Sequence, residues 1–358
     1  MKPLVFAFSL LTIVAASTKA TEAVKLDFDY DSFWKRIQSS EDETKALQLE
    51  PILLPRLKEE ERDLFKELLH FTEELKDSQS ALKLLETSIT QESSAVLYYF
   101  AANLYTVEDN IPKAVECYLE TLERHPTFAQ AIKNVSVILA QSGYHREAIP
   151  FLSRAIELGV NDSQTWGLLG FCQVNVNENT AAEKSYRNAI IYDSTVRDWK
   201  LGLARSLLAS QKYNEAISIL QEILIDTPDD DIVLSVQADA YIALDRPNDA
   251  AGNYALIHRL GKANAQYLVQ LGSIYLFNDL NEMGTQTIIE SLAMPDSLAF
   301  SDYSGIVDNL ILRGSFDNAT KLISSLRKHK ESDSNESLLA KFEVKIALGK
   351  GEFENLVP

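Results

Sequence analysis

Residues 163–196 read SQTWGLLGFCQVNVNENTAAEKSYRNAIIYDSTV, and this stretch decides the fold. Counted from Ser163, the fourth, seventh and eighth places hold Trp166, Leu169 and Gly170. Spacings of three and four put them on one face of a helix. A second helix follows, with small Ala182 at place twenty and large Tyr186 at place twenty-four. Ala182 belongs to a series: Ala114, Ala148, Ala182, Ala216 and Ala250 are each 34 residues apart. Gly284 continues in step, Ala319 follows after 35, and Ala81 precedes Ala114 by 33. Chance does not hold one phase over five consecutive intervals, and a fixed period of this length is the signature of a repeat architecture.

Placing each start nineteen residues before its marker gives Arg62, Ala95, Ala129, Ser163, Arg197, Asp231, Ala265 and Phe300. The first-helix pattern recurs as Tyr98, Ala101, Ala102 and Tyr105, and again as Leu268, Leu271, Gly272 and Tyr275. The small-then-large pair recurs as Ala114/Tyr118, Ala148/Leu152, Ala216/Leu220 and Ala250/Tyr254. Two helices approach to about 8–10 Å where small side chains meet. Ala102, Gly170, Ala204, Ala238 and Gly272 therefore face the small twentieth residue, and the large residues fill the gap to the next pair. One pair cannot bury its apolar stripe alone, so neighbours must stack. Pro126 and Pro228 end second helices, and Gly143 and Gly314 fall in turns where positive φ is useful.

These residues resemble the tetratricopeptide repeat, whose pattern runs W-x2-L-G-x2-Y, then A-x3-F, then P. Repeat 163–196 carries Trp166, Leu169, Gly170, Ala182, Tyr186 and Ala189; repeat 95–128 carries Tyr98, Tyr105, Ala114, Tyr118 and Pro126. The resemblance runs from Arg62 to about Gly349. Gln173, Gln237 and Lys200 depart from the Tyr, Leu and Trp of the pattern, and Gly284 replaces the packing alanine, which is expected to weaken single repeats. The resemblance implies an all-α, right-handed α-solenoid of about eight stacked helix-turn-helix repeats with a concave inner face. A related half-a-tetratricopeptide repeat would hold the 34-residue phase less regularly.

The ends fall outside the period. In residues 1–20, Lys2 precedes the apolar Leu4–Ala16, and Val14-Ala15-Ala16 and Thr18-Lys19-Ala20 both resemble cleavage boxes. That is the pattern of a secretory signal peptide, and the apolar run is too short to span a bilayer. Export to a periplasm or to the extracellular space is expected, with no membrane span once the signal is removed. Residues 21–61 form an acidic leader with a short helix through Phe33, Trp34 and Ile37. The repeats occupy 62–334. In 335–358, Glu336–Leu348 reads as an amphipathic capping helix with Leu339, Phe342 and Ile346 inward.

Composition narrows function. The chain has 358 residues with 52 acidic against 34 basic, a formal net charge of −18, which repels phosphate backbones and argues against nucleic acid as a partner. An apolar fraction of 46% supports a packed core, and only 13 glycines and 10 prolines lean the chain away from turn-rich β structure. Cys117 and Cys172 read as free thiols. The five histidines are scattered without metal-ligand spacing, and Asp229-Asp230-Asp231 reads as a helix N-cap cluster. No phosphate-binding loop, dinucleotide fingerprint or nucleophile elbow is present, so neither an enzyme nor a cofactor or metal is expected.

The resemblance further implies that first helices line the groove at places two, five, nine, twelve and thirteen. The groove candidates are Tyr99, Asn103, Lys133, Asn134, Phe171, Leu201, Arg205, Leu208 and Asp239. One subclass of the family clamps a C-terminal carboxylate with Lys, Asn, Asn, Lys and Arg. Its two amides are kept as Asn103 and Asn134, but the cationic places read Tyr99, Gln164 and Leu168, so the charge-assisted bonds that hold an anion are missing. The amides remain able to bond a peptide backbone. The expected function is an exported protein–protein scaffold that lays a partner's peptide or helix along the groove. A non-protein polymer such as a glycan, or a role as accessory subunit of an envelope enzyme, is the alternative. The twelfth-place row, Thr106, Ala140, Val174, Leu208, Ile242, Leu276 and Ile311, either faces the groove or packs between repeats.

Overall fold

The computed structural model describes residues 55–329 and 331–352. The expected signal peptide, and the leader before Pro55 with its Trp34 helix, lie outside the described residues. Seventeen α-helices and no strand occur among the described residues, and consecutive helices pack in pairs. The fold is the all-α class of stacked helix-turn-helix repeats. Contacts divide the chain into two units, 1–161 and 162–358.

The first unit holds α1 (Arg62–Leu69), which runs into a π turn at His70–Glu74, then α2 (Ser78–Ser88), α3 (Ala95–Val107), α4 (Ile111–Arg124), α5 (Ala129–Gln141) and α6 (His145–Glu157). The second holds α7 (Ser163–Asn175), α8 (Asn179–Tyr192), α9 (Arg197–Ala209), α10 (Tyr213–Asp226), α11 (Asp231–Ala243), α12 (Pro247–Arg259), α13 (Ala265–Phe277), α14 (Asn281–Leu292), α15 (Phe300–Leu312), α16 (Phe316–Leu326) and α17 (Glu336–Lys350). Within each unit a second helix packs on its own first helix and on the next one, except that α14 packs on α13 and on α16.

Small side chains set these contacts. Ala102 and Ala114 are fully buried between α3 and α4, as are Ala204 and Ala216 between α9 and α10, and Ala238 and Ala250 between α11 and α12. The place-twenty-four residues Tyr118, Leu152, Tyr186, Leu220 and Tyr254 are buried. Each such side chain contributes roughly 1.5–3 kcal/mol by leaving water. In α17, Leu339, Phe342 and Ile346 turn inward, and Gly351 at φ +77° ends the helix.

The departures from the repeat pattern are compensated in pairs. Gly284 does not loosen its repeat. A Cβ on Gly272 would lie 2.8 Å from the Gly284 carbonyl oxygen, and one on Gly284 would lie 2.7 Å from that of Gly272. The two glycines let α13 and α14 meet backbone to backbone. Gln173 is buried, and its Oε1 accepts a 2.7 Å bond from Ser185 Oγ of α8. Gln237 accepts from Asn253 Nδ2 of α12 at 3.0 Å. Lys200 stands at the tryptophan place, but Trp199 beside it lays its ring over Gly167 and donates from Nε1 to Ser163 Oγ at 2.8 Å.

The turns inside the repeats share one conformation. The residue at place fifteen is left-handed in all eight repeats: Lys76, Asp109, Gly143, Asn177, Gln211, Asp245, Asp279 and Gly314, with φ between +55° and +83°. In seven of them the next amide bonds back to the carbonyl five residues earlier, as in Asn110 N to Tyr105 O and Lys212 N to Leu207 O, both 2.8 Å, while after the π turn Asp77 N reaches Phe71 O, six residues earlier. The former is the Schellman closure of a helix C-terminus. The glycine signal marked two of the eight.

Candidate functional site

In the first unit, Tyr99 and Asn103 lie on α3 and Lys133 and Asn134 on α5, and three of the four meet. Asn134 Nδ2 donates to Asn103 Oδ1 at 3.1 Å, to the Tyr118 hydroxyl at 3.2 Å and to the Tyr99 hydroxyl at 3.3 Å. Tyr118 donates to the same Asn103 Oδ1 at 2.6 Å. The Tyr99 ring lies 4.6 Å from that of Phe128 and 6.0 Å from that of Tyr118. Burial raises the phenol pKa of both tyrosines, so they stay protonated donors at neutral pH. The Asn103 amide also hydrogen-bonds the Tyr99 phenol. Both amides are half-buried. A side-chain amide carries both an acceptor and a donor, the groups that match the N–H and C=O of a peptide unit.

In the second unit the candidates separate by exposure. Phe171, Arg205 and Asp239 are exposed, each at place nine of its helix. Leu201 is buried in the core with Tyr186, Ala204 and Leu207. Leu208 is half-buried and packs against the cores on both sides of it. Of its place-twelve companions in this unit, Val174 and Ile311 are half-buried against the core and Leu276 is buried, while Ile242 remains exposed. The place-twelve row here is mainly inter-repeat packing.

Its place in the repeat makes Tyr118 a gap filler, and it also holds Asn103. Tyr254 repeats the geometry, its hydroxyl 3.4 Å from Asp239 Oδ1. In both cases a place-twenty-four tyrosine reaches the place-nine residue fifteen positions earlier. That spacing was present in the sequence. Although Asp239 is exposed as a residue, the protein around its carboxyl partly desolvates it and raises it above its ordinary pKa, with the Tyr254 hydrogen bond working against this.

The remaining titratable groups have structural roles. Asp230 caps α11 by accepting from Val233 N at 3.1 Å, and its other oxygen takes Arg197 Nε at 2.5 Å. Asp231 pairs with Lys262 at 3.1 Å. Cys117 and Cys172 are free, and burial pushes each thiol up to about 12. No group of three potential metal ligands occurs among the described residues, and none of their helices is long and apolar enough to cross a membrane.

Known proteins agree with this geometry at the level of the repeat. Residues 177–240 match the family model of the tetratricopeptide repeat. The C-terminal part of a tetratricopeptide repeat-containing protein from Cytophaga hutchinsonii superposes with a TM-score of 0.54 at 17% identity, covering 67% of this chain and 98% of that one. YrrB, described as a tetratricopeptide protein with an unusual peptide-binding site, aligns at 16% identity over 51% of this chain and 92% of its own, with a TM-score of 0.46. A tetratricopeptide repeat protein from Parabacteroides merdae gives 0.45 at 16% identity, covering 65% and 93%. No curated protein matches the chain in sequence. The Cytophaga likeness establishes the repeat fold.

Proposed function

We propose that the chain is an exported, non-enzymatic scaffold that binds a partner protein's extended peptide across the first helices. The observation that carries this reading is the amide pair of α3 and α5. Tyr99 and Tyr118 fix both side chains, so little rotamer freedom remains to be lost on binding. Asn134 Oδ1 is then the acceptor for a peptide N–H, with the held Asn103 amide beside it. Within the second unit, and separately from the amide pair, Phe171, Arg205 and Asp239 offer an exposed aromatic, a cation and an anion at equivalent places on successive first helices. The test is crosslinked capture from the source's envelope fraction with the full chain, Asn134→Ala and Phe171→Glu. A protein recovered reproducibly by the full chain and lost with Asn134→Ala, at unchanged helical content, is the expected result. Equal recovery by Asn134→Ala, or no partner with any form, overturns the proposal.

A further inference from the structure

Away from the inner face, α2, α3 and α4 surround a hollow of about 330 Å³. Its floor includes Leu85, Ile89 and Ala101, and the tyrosines Tyr98 and Tyr105 line it. These α3 residues occupy places four, seven and eleven, a different face from Tyr99 and Asn103. The origin of the hollow is legible in the repeat. Place seven is a buried leucine in the second unit at Leu169, Leu203 and Leu271, and here it is alanine.

The walls already attract cations. The Arg124 guanidinium lies 4.1 Å from the centre of the Tyr98 ring, and Lys113 Nζ lies 5.0 Å from that of Tyr105. Three carboxylates stand at the hollow: Glu86, Glu116 and Glu120. Glu86 takes Lys113 at 3.0 Å and the Tyr105 hydroxyl at 2.8 Å, and Glu120 pairs with Arg124. Glu116 is exposed and has no ion-pair partner among the described residues. Burial raises the Cys117 thiol first, and the charges of Glu116 and Glu120 raise it further, which places both carboxylates within electrostatic reach of the lining.

We propose that this hollow takes one arginine or lysine side chain of a partner protein. The aliphatic stem lies against Leu85, Ile89 and Ala101 between the tyrosine rings, and the charged head rests beside Glu116. Such side chains bury their stems and keep their heads at polar surface, and aromatic faces add attraction for the cation. The net charge of −18 attracts basic segments at long range, so they reach the hollow more often than neutral ones do.

The experiment titrates the full chain, by calorimetry, with an acetylated and amidated Gly-Gly-Arg-Gly-Gly peptide and its citrulline counterpart, which keeps the shape and removes the charge. The arginine peptide is expected to give a saturable isotherm about tenfold tighter than the citrulline peptide. Ala101→Leu fills the hollow at unchanged net charge and is expected to abolish binding. Glu116→Gln, an exposed substitution, is expected to weaken it roughly two- to fivefold. No saturable binding of the arginine peptide, equal binding of both peptides, or undiminished affinity in Ala101→Leu or Glu116→Gln overturns the proposal. Circular dichroism confirms that each variant is folded, and Glu116→Gln keeps the test decisive if Ala101→Leu is not.

Discussion

Gln211 sits at φ +60° in the turn between α9 and α10, a conformation that L side chains enter at a cost of roughly 1–2 kcal/mol. Glycine enters it freely but loses more entropy on folding. The balance favours glycine here, because the Lys212 N to Leu207 O bond holds the turn whatever stands at 211. Gln211→Gly is expected to stabilise the fold by about 0.5–1 kcal/mol, read as a raised denaturant midpoint at constant slope. Gly284 argues in the opposite direction. Its missing side chain lets α13 and α14 touch backbones, so Gly284→Ala must push them apart. A loss of about 1–3 kcal/mol is expected in the same measurement, as for overpacked cores. A neutral result would mean that the helices part without cost and that the close approach carries no stability.

Among the elements, α11 shows how a local charge supports a helix. Burial works to raise the Asp230 carboxyl, but Arg197 and the Val233 amide outweigh it, so the folded pKa lies below the usual aspartate value. A depressed acid contributes stability that is whole above its unfolded pKa and is lost as pH falls through the folded one. Asp230→Asn is therefore expected to destabilise the chain near neutral pH. The cost is about 1 kcal/mol, typical of a cap with a charged partner. The difference from the parent should vanish in acid, below the folded pKa of Asp230. Equilibrium unfolding at neutral and acid pH checks this, and a pH-independent difference would assign the effect to packing. The cap itself was legible, because three aspartates before an apolar run admit few readings. The left-handed turns at Lys76, Asp109, Asn177, Gln211, Asp245 and Asp279 were not. Four of them are aspartate or asparagine, which enter this conformation more readily than other side chains, but those residues are common enough elsewhere in the chain that the place stands out only once the 34-residue geometry is known. The π turn after α1 was likewise hidden, since its apolar spacing reads as ordinary helix.

At the scale of the whole molecule, the repeat phase was readable because each helix pair needs one small residue at one fixed place, and packing punishes any drift. The site was readable only in part. Asn103 and Asn134 could be placed, but that they hold each other depends on the reach of Tyr118, and the burial of Leu201 and the packing of Leu208 depend on neighbouring repeats. A double charge substitution at Phe171 and Leu208 would therefore mix a surface effect with a packing one. Phe171→Glu alone separates them: unfolding midpoint unchanged within about 0.5 kcal/mol, as for an exposed position, with any loss confined to partner capture. Charge governs the approach of that partner. A chain at −18 attracts basic segments over about a Debye length, near 10 Å at 0.1 M salt. Once a partner is captured, its association rate is expected to fall several-fold between 0.05 and 0.5 M salt while dissociation changes little, because long-range attraction acts on encounter more than on the docked complex. Stopped-flow or surface-based kinetics at the two salt concentrations read this directly. A salt-independent association rate would mean that the partner is neutral where it first meets the chain, leaving apolar contact and backbone hydrogen bonding to the amide pair as the whole of recognition.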